Sequence, residues 1–158
     1  MAKRLFVTPY RCIDCKTCQE ACNYAHDRNP FDSTHSRIHT NVLGDGSRSI
    51  IVCLQCGEAA CAAICPHDAL VRNTETGAIE RTNDCVGCLL CVKACPFGNM
   101  DYDPIHHEVI KCDLCGGDPN CAKHCPTGAL VWADEAMTEE EAEEKYKRFQ
   151  EGIPAHQA

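Results

Sequence analysis

Apolar positions in this chain come in short runs, each bounded by residues that turn the backbone. Leu5-Phe6-Val7 reads as a strand that ends at Thr8-Pro9. Arg37 to Val42 and Ser47 to Val52 flank Gly44-Asp45-Gly46 and are expected to pair as a hairpin. Ala69 to Arg72 and Ala78 to Arg81 bracket Asn73-Thr74-Glu75-Thr76-Gly77, which predicts a second hairpin. Asn99 to Tyr102 and Glu108 to Lys111 bracket a turn that begins at Asp103-Pro104, which predicts a third. Residues 23–46 are mostly polar and irregular, with Asn29-Pro30 as a further turn signal. The tail has a different period. Thr138 and Glu141 fit a capping box, acidic residues fill the first turns, and Lys145, Lys147 and Arg148 follow. A helix from Glu139 to Gln150 is predicted, stopped near Gly152 and Pro154. It reads as a solvated surface helix or as a docking element. No apolar run approaches the length that crosses a membrane.

Between these elements lie the cysteines, and they change the picture. The chain has 158 residues and 16 cysteines, with aromatic residues only 6%, so Phe, Val, Ile and Leu are too sparse for a conventional core. The cysteines form four runs: Cys12, Cys15, Cys18, Cys22; Cys53, Cys56, Cys61, Cys65; Cys85, Cys88, Cys91, Cys95; and Cys112, Cys115, Cys121, Cys125. Proline follows the last cysteine of the second, third and fourth runs (Pro66, Pro96, Pro126), while Asn23 stands there in the first. The repeat extends further, since Cys65-Pro66-His67-Asp68-Ala69-Leu70-Val71 aligns with Cys125-Pro126-Thr127-Gly128-Ala129-Leu130-Val131.

The third run has the bacterial ferredoxin spacing for a [4Fe–4S] cluster, in which the fourth cysteine serves a neighbouring cluster. Each such cluster takes four soft thiolates, so four clusters need all 16 cysteines and leave none over. A disulfide framework is the first rival. Met1 to Tyr10 offers no apolar leader and no small-residue cleavage site, so the chain is expected in the cytoplasm, where disulfides are rare. A zinc-binding interaction module is the rival of another class. Zinc ribbons use two separated cysteine pairs and do not need a third cysteine close behind or a fourth before proline. The eight histidines, including His67, His124 and the pair His106-His107, are expected outside the ligand sets. Apolar loop residues Ile13, Ile64, Val86, Leu89 and Leu90 are expected either as dry cluster walls or as plain core packing, and Trp132 either under the last strand or on a contact surface.

The formal charge of −8 becomes more negative by about −2 for each oxidised cluster bound, which argues against a nucleic-acid partner. No nucleophile–base pair, phosphate-cradling glycine loop or open coordination position is evident, so the chain does not read as an enzyme.

Residues 1–133 resemble the four-cluster polyferredoxin subunits of molybdenum and tungsten bis-pterin oxidoreductases, the dimethyl-sulfoxide-reductase-type iron–sulfur subunits. The short chain looks most like the small iron–sulfur subunit of bacterial tungsten aldehyde oxidoreductases. The resemblance implies an α+β fold of two nested bacterial-ferredoxin-like units with short hairpins and cluster-binding loops, plus a C-terminal helix. The outer unit is expected from 1–52 and 99–133, the inner one from 53–98, and an acidic helical tail from 134–158. The resemblance further implies four ligand sets: Cys12, Cys15, Cys18 with Cys125; Cys112, Cys115, Cys121 with Cys22; Cys53, Cys56, Cys61 with Cys95; and Cys85, Cys88, Cys91 with Cys65. Ala59-Ala60 and Asn23 depart from the family pattern without removing a ligand.

The expected role is an electron wire between a catalytic subunit, of the tungsten or molybdenum pterin type and aldehyde-oxidising, and a second redox partner such as a flavin subunit or ferredoxin. A free soluble carrier, or a subunit of a formate- or carbon-monoxide-oxidising or hydrogenase complex, is the alternative. Two exposed ends would also allow head-to-tail self-association. The membrane-binding tail of some relatives is absent, so no direct membrane insertion is expected.

Overall fold

The computed structural model of the protein describes residues 3–26, 36–104, 107–134 and 136–152. Among these, eight strands form four separate two-stranded antiparallel ribbons. The three predicted hairpins are present as β2 (Ile38–Val42) with β3 (Arg48–Val52), β4 (Leu70–Arg72) with β5 (Ile79–Arg81), and β6 (Met100–Asp103) with β7 (Glu108–Lys111). The fourth ribbon joins the two ends of the repeat region: β1 (Arg4–Val7) pairs with β8 (Leu130–Ala133), placing Leu5 opposite Trp132. Trp132 thereby packs against the core below this ribbon.

Each cysteine run feeds a helix that carries its third cysteine. These are α1 (Thr17–His26), α2 (Ala60–Ala63), α3 (Leu90–Ala94) and α4 (Asn120–Lys123). Three of them stop after about one turn, because the residue before a proline is pushed out of the helical region. Cys95, just before Pro96, is extended at φ −71°, ψ 111°. In the first run Asn23 replaces that proline, and α1 continues through Cys22 to His26. The turn signal at Asn29-Pro30 and the stop signal at Pro154 lie outside the described residues.

Two-stranded ribbons are marginal alone in water, and here they rest on two small cores. The outer core joins Cys18, Cys22, Ile38, Val52, Cys121, Ala122, Cys125, Ala129 and Leu130. The inner core joins Leu70, Ile79, Cys91, Met100 and Val109, with Tyr102 packed against it. The β6–β7 hairpin therefore packs on the inner core. Val109 of β7 joins Leu70 and Ile79 in that core, and the Arg81 guanidinium pairs with Glu108 at 2.5 Å beside it.

The tail forms α5 (Glu139–Gln150), with both halves of the capping box made. Thr138 Oγ1 accepts from the Glu141 N–H at 3.3 Å, and Glu141 Oε2 accepts from the Thr138 N–H at 2.8 Å. The helix is not simply solvated: Ala142 is buried, and Arg11 pairs with Glu139 at 2.6 Å and donates to the Met137 carbonyl at 3.3 Å. The backbone at Gly128 lies so close beneath that a Cβ there would meet Met137 Sδ at 2.8 Å. The tail is thus clamped onto the outer unit. Among the described residues, no helix is long and apolar enough to cross a membrane.

Candidate metal centres

The four runs share a backbone shape that their sequences conceal. The residue just before the second cysteine is left-handed in every run: Asp14 at φ 57°, Gln55 at 50°, Gly87 at 67° and Leu114 at 57°. Only Gly87 is a glycine; the other three accept a conformation costing about 1–2 kcal/mol for an L-residue. Backbone that alternates between right- and left-handed conformations turns successive N–H groups into one concavity, which suits an anion. A thiolate-ligated iron–sulfur cluster is such an anion. Gly87 has a second reason to be glycine, since a Cβ there would sit 2.6 Å from the His107 carbonyl oxygen.

Backbone N–H groups also aim at the sulfurs. Ala69 N–H donates to Cys65 Sγ at 3.3 Å and Asn99 N–H to Cys95 Sγ at 3.4 Å, each four residues past its cysteine, where the proline has turned the chain. Asp14 N–H donates to Cys12 Sγ at 3.4 Å, and Arg37 N–H to Cys22 Sγ at 3.3 Å.

All 16 cysteines are free thiols, with no disulfide. Twelve of them line three cavities of similar size. Cys12, Cys15, Cys18 and Cys125 line one. Cys53, Cys56, Cys61 and Cys95 line another. Cys65, Cys85, Cys88 and Cys91 line a third. Each cavity gathers three cysteines of one run and the last cysteine of another. The remaining four, Cys22, Cys112, Cys115 and Cys121, crowd together: burial pushes the Cys121 thiol well up, and Cys112, Cys22 and Cys115 push in the same direction.

Burial also pushes the thiols of Cys18 and Cys112 up to about 12, helped by neighbouring cysteines. Cys61 and Cys91 are raised too, again chiefly by burial. Metal would have to displace the protons of these raised thiols, because ligating sulfur is deprotonated. Soft sulfur donors in sets of four, N–H groups aimed at sulfur and an anion-suited backbone fit an iron–sulfur cluster.

Of the apolar loop residues, Ile13, Val86, Leu89 and Leu90 line these cavities. Ile13, Val86 and Leu90 are also exposed, so they form thin walls, while Leu89 packs against the inner core and Ile64 is exposed without lining one of these cavities. His67, His107 and His124 are exposed, and His106 lies outside the described residues. His107 Nδ1 contacts the Tyr102 hydroxyl, and His124 Nδ1 the Asn120 carbonyl.

Sequence reasoning missed His26. Its Nε2 faces Asp113 at 3.1 Å and its Nδ1 the Cys22 carbonyl at 2.8 Å, while Arg37 pairs with Asp113 at 2.7 Å. Burial opposes the imidazolium, but the Asp113 carboxylate and the Cys22 sulfur outweigh it and hold the group up at about 10. The trio braces α1 against the fourth run, and nothing in the sequence signalled it. Lys111 and Gln55 were also missed. For Lys111 a signal existed, a lysine closing the apolar strand Val109-Ile110 directly before Cys112.

The profile of the 4Fe-4S dicluster domain matches residues 50–135, and that of a 4Fe-4S binding domain matches residues 9–25. The chain belongs to the 4Fe-4S ferredoxin-type electron-transport family. It is 38% identical over 136 residues to the putative electron transport protein YsaA of Escherichia coli (strain K12), covering 78% of this chain and 85% of the relative. It is 33% identical over 163 residues to the electron transport protein HydN of the same strain, covering 87% and 91%. It is 32% identical over 144 residues to a probable iron-sulfur subunit of the Frd operon of Proteus vulgaris, covering 80% and 90%. This family member is therefore an iron–sulfur electron-transfer protein, and its 16 cysteines fit four [4Fe–4S] clusters.

Proposed function

We propose that the chain is a non-catalytic electron wire within an oxidoreductase complex, and that its 16 cysteines are iron ligands in four sets. The sets are Cys12, Cys15, Cys18, Cys125; Cys112, Cys115, Cys121, Cys22; Cys53, Cys56, Cys61, Cys95; and Cys85, Cys88, Cys91, Cys65. The carrying observation is that three separate cavities each gather three cysteines of one run and one of another. When bound, each cluster supplies a one-electron carrier. The chain supplies the spacing and the electrostatics.

The sets follow one another in the order just given. This is supported by neighbours acting across sets: Cys18 raises the Cys121 thiol and Cys53 raises the Cys112 thiol, while Cys61, Cys95, Cys85 and Cys91 share the inner core. The inner unit in this reading is 53–98, nested between 1–52 and 99–133, with the β6–β7 hairpin laid on the inner core and the tail at 134–158.

The catalytic partner in this reading is a tungsten or molybdenum pterin subunit, aldehyde-oxidising in the tungsten case, and the second partner a flavin subunit or ferredoxin, in the cytoplasm. The motif resemblance over residues 1–133 supports the partner class. Exposed Leu54, Val86 and Phe97 beside the inner cavities support a docking end there. Head-to-tail association of such ends predicts particles that grow with concentration in light scattering.

The test is metal analysis of the complex isolated anaerobically from its host. About 16 iron atoms per copy of this chain are expected, after subtracting iron in partner subunits. Tungsten in the complex supports the aldehyde-oxidising reading and molybdenum a formate-type or reductase partner. Added nickel points to a hydrogenase or carbon-monoxide-oxidising complex, and iron alone to a free carrier or flavin-linked complex. Stoichiometric zinc with little iron would overturn the wire altogether.

A further inference from the structure

Lys111 ends β7 and is only 5% exposed. Its ammonium donates to Cys53 Sγ at 3.1 Å, to Gln55 Oε1 at 3.1 Å and to the Cys112 carbonyl at 3.2 Å. A lysine ammonium has three N–H donors, and three acceptors receive them. Gln55 completes the arrangement. Its Nε2 donates to the same Cys112 carbonyl at 2.9 Å, and its Oε1 also accepts from the Ile79 N–H at 2.9 Å. The lysine is thus fixed in place at the seam where the second and fourth cysteine runs meet.

A buried cation is costly unless an anion compensates it. Of the three acceptors, the Cys53 sulfur is the one that becomes anionic on ligating iron. We propose that Lys111 is a positioning residue for charge, a fixed cation that raises the reduction potential of the cluster held by the Cys53 set and, to a lesser degree, of the one held by the Cys112 set. This rests on the ligand sets proposed above. Reduction adds one electron and one negative charge to a site that already carries net negative charge. A fixed ammonium beside the ligand sulfur favours that reduced form, since net charge and hydrogen bonds to sulfur are among the levers on potential. The seam is also where electrons cross between the inner and outer units. Lys111 would therefore lower the electrostatic penalty for an electron at the crossing relative to either end.

The experiment is an anaerobic redox titration followed by electron paramagnetic resonance, on the full chain or its native complex. The variants are Lys111→Met, Lys111→Gln and Lys111→Arg. Iron content is measured on the same samples. With iron retained, Met and Gln are expected to shift one potential clearly downward and a second one less, leaving the other two in place; Arg should stay near the parent. Unmoved potentials with full iron would overturn the proposal. So would a parent-like potential in Lys111→Gln, because the hydrogen bond and not the charge would then be at work. Loss of about four irons in both neutral variants would overturn it as well, making Lys111 a structural clasp. Absence of any reduced iron–sulfur signal in the parent chain would instead sink the wire reading itself.

Discussion

In the outer unit the helix that carries Cys18 runs for ten residues, from Thr17 to His26, whereas the inner unit's counterparts α2 and α3 run for four and five. The longer helix, the β2–β3 hairpin and the clamped tail cover the outer sites. Four of the nine residues in the outer core are cysteines, Cys18, Cys22, Cys121 and Cys125, against one of five, Cys91, in the inner core. The inner sites sit beneath four exposed apolar residues, Leu54, Val86, Leu90 and Phe97, where the Cys12 cavity has one, Ile13. The same cysteine grammar therefore serves two purposes. In the outer unit the metal would be part of the core; in the inner unit a small aliphatic core stands beside it, and the cluster walls face outward where a partner can reach them.

Ligand replacement should divide the two units most sharply. Cys125→Ser is expected to remove more than one cluster, because the buried outer thiols share one core, and to lose the near-ultraviolet signature of packed aromatic residues. Cys65→Ser is expected to lose about four irons and keep the rest. Iron per chain and circular dichroism on both variants decide the matter. Equal losses would erase the distinction between the units.

Asn23→Pro attacks the cause of the difference. It gives the first run the ending of the other three and should break α1 near Cys22, at a cost of about 3 kcal/mol or more. It should also separate His26 from Asp113. A lower melting temperature with faster iron loss from the outer sites is expected, and a parent-like melt would show that the long helix is not what protects them.

Thr138→Ala sharpens the comparison at its weakest point, the tail. Losing the N-cap should cost about 1 kcal/mol and loosen α5. Hydrogen exchange should quicken in residues 139–150 while iron content stays at the parent level. Iron loss in this variant would mean that the tail belongs to the outer core rather than lying over it.

Much of this was legible in the chain. The three hairpins were visible because Gly44-Asp45-Gly46, Asn73 to Gly77 and Asp103-Pro104 are turn chemistry between strand-forming residues, and local chemistry of that kind acts within a few positions. The capping box of α5 was visible for the same reason. Proline fixes φ and removes an N–H after three of the runs, and β4, β6 and β8 follow it. The packing of β6–β7 was not visible, since a hairpin reads the same whichever core its apolar face meets. The left-handed residues Gln55 and Leu114 were equally hidden, because neither side chain favours that conformation.

Cysteine number, spacing and proline placement by themselves determined the family, the cofactor type and the count of sites, because four thiolates per cluster is a rule of coordination that needs no fold. The tertiary structure alone decided that β1 closes against β8, that His26 braces α1 through Asp113, and that Lys111 reaches the sulfur of Cys53. The physical reason is range. Coordination and turn preferences are written into neighbours in sequence, while burial and long-range contacts arise only when distant segments share one small core.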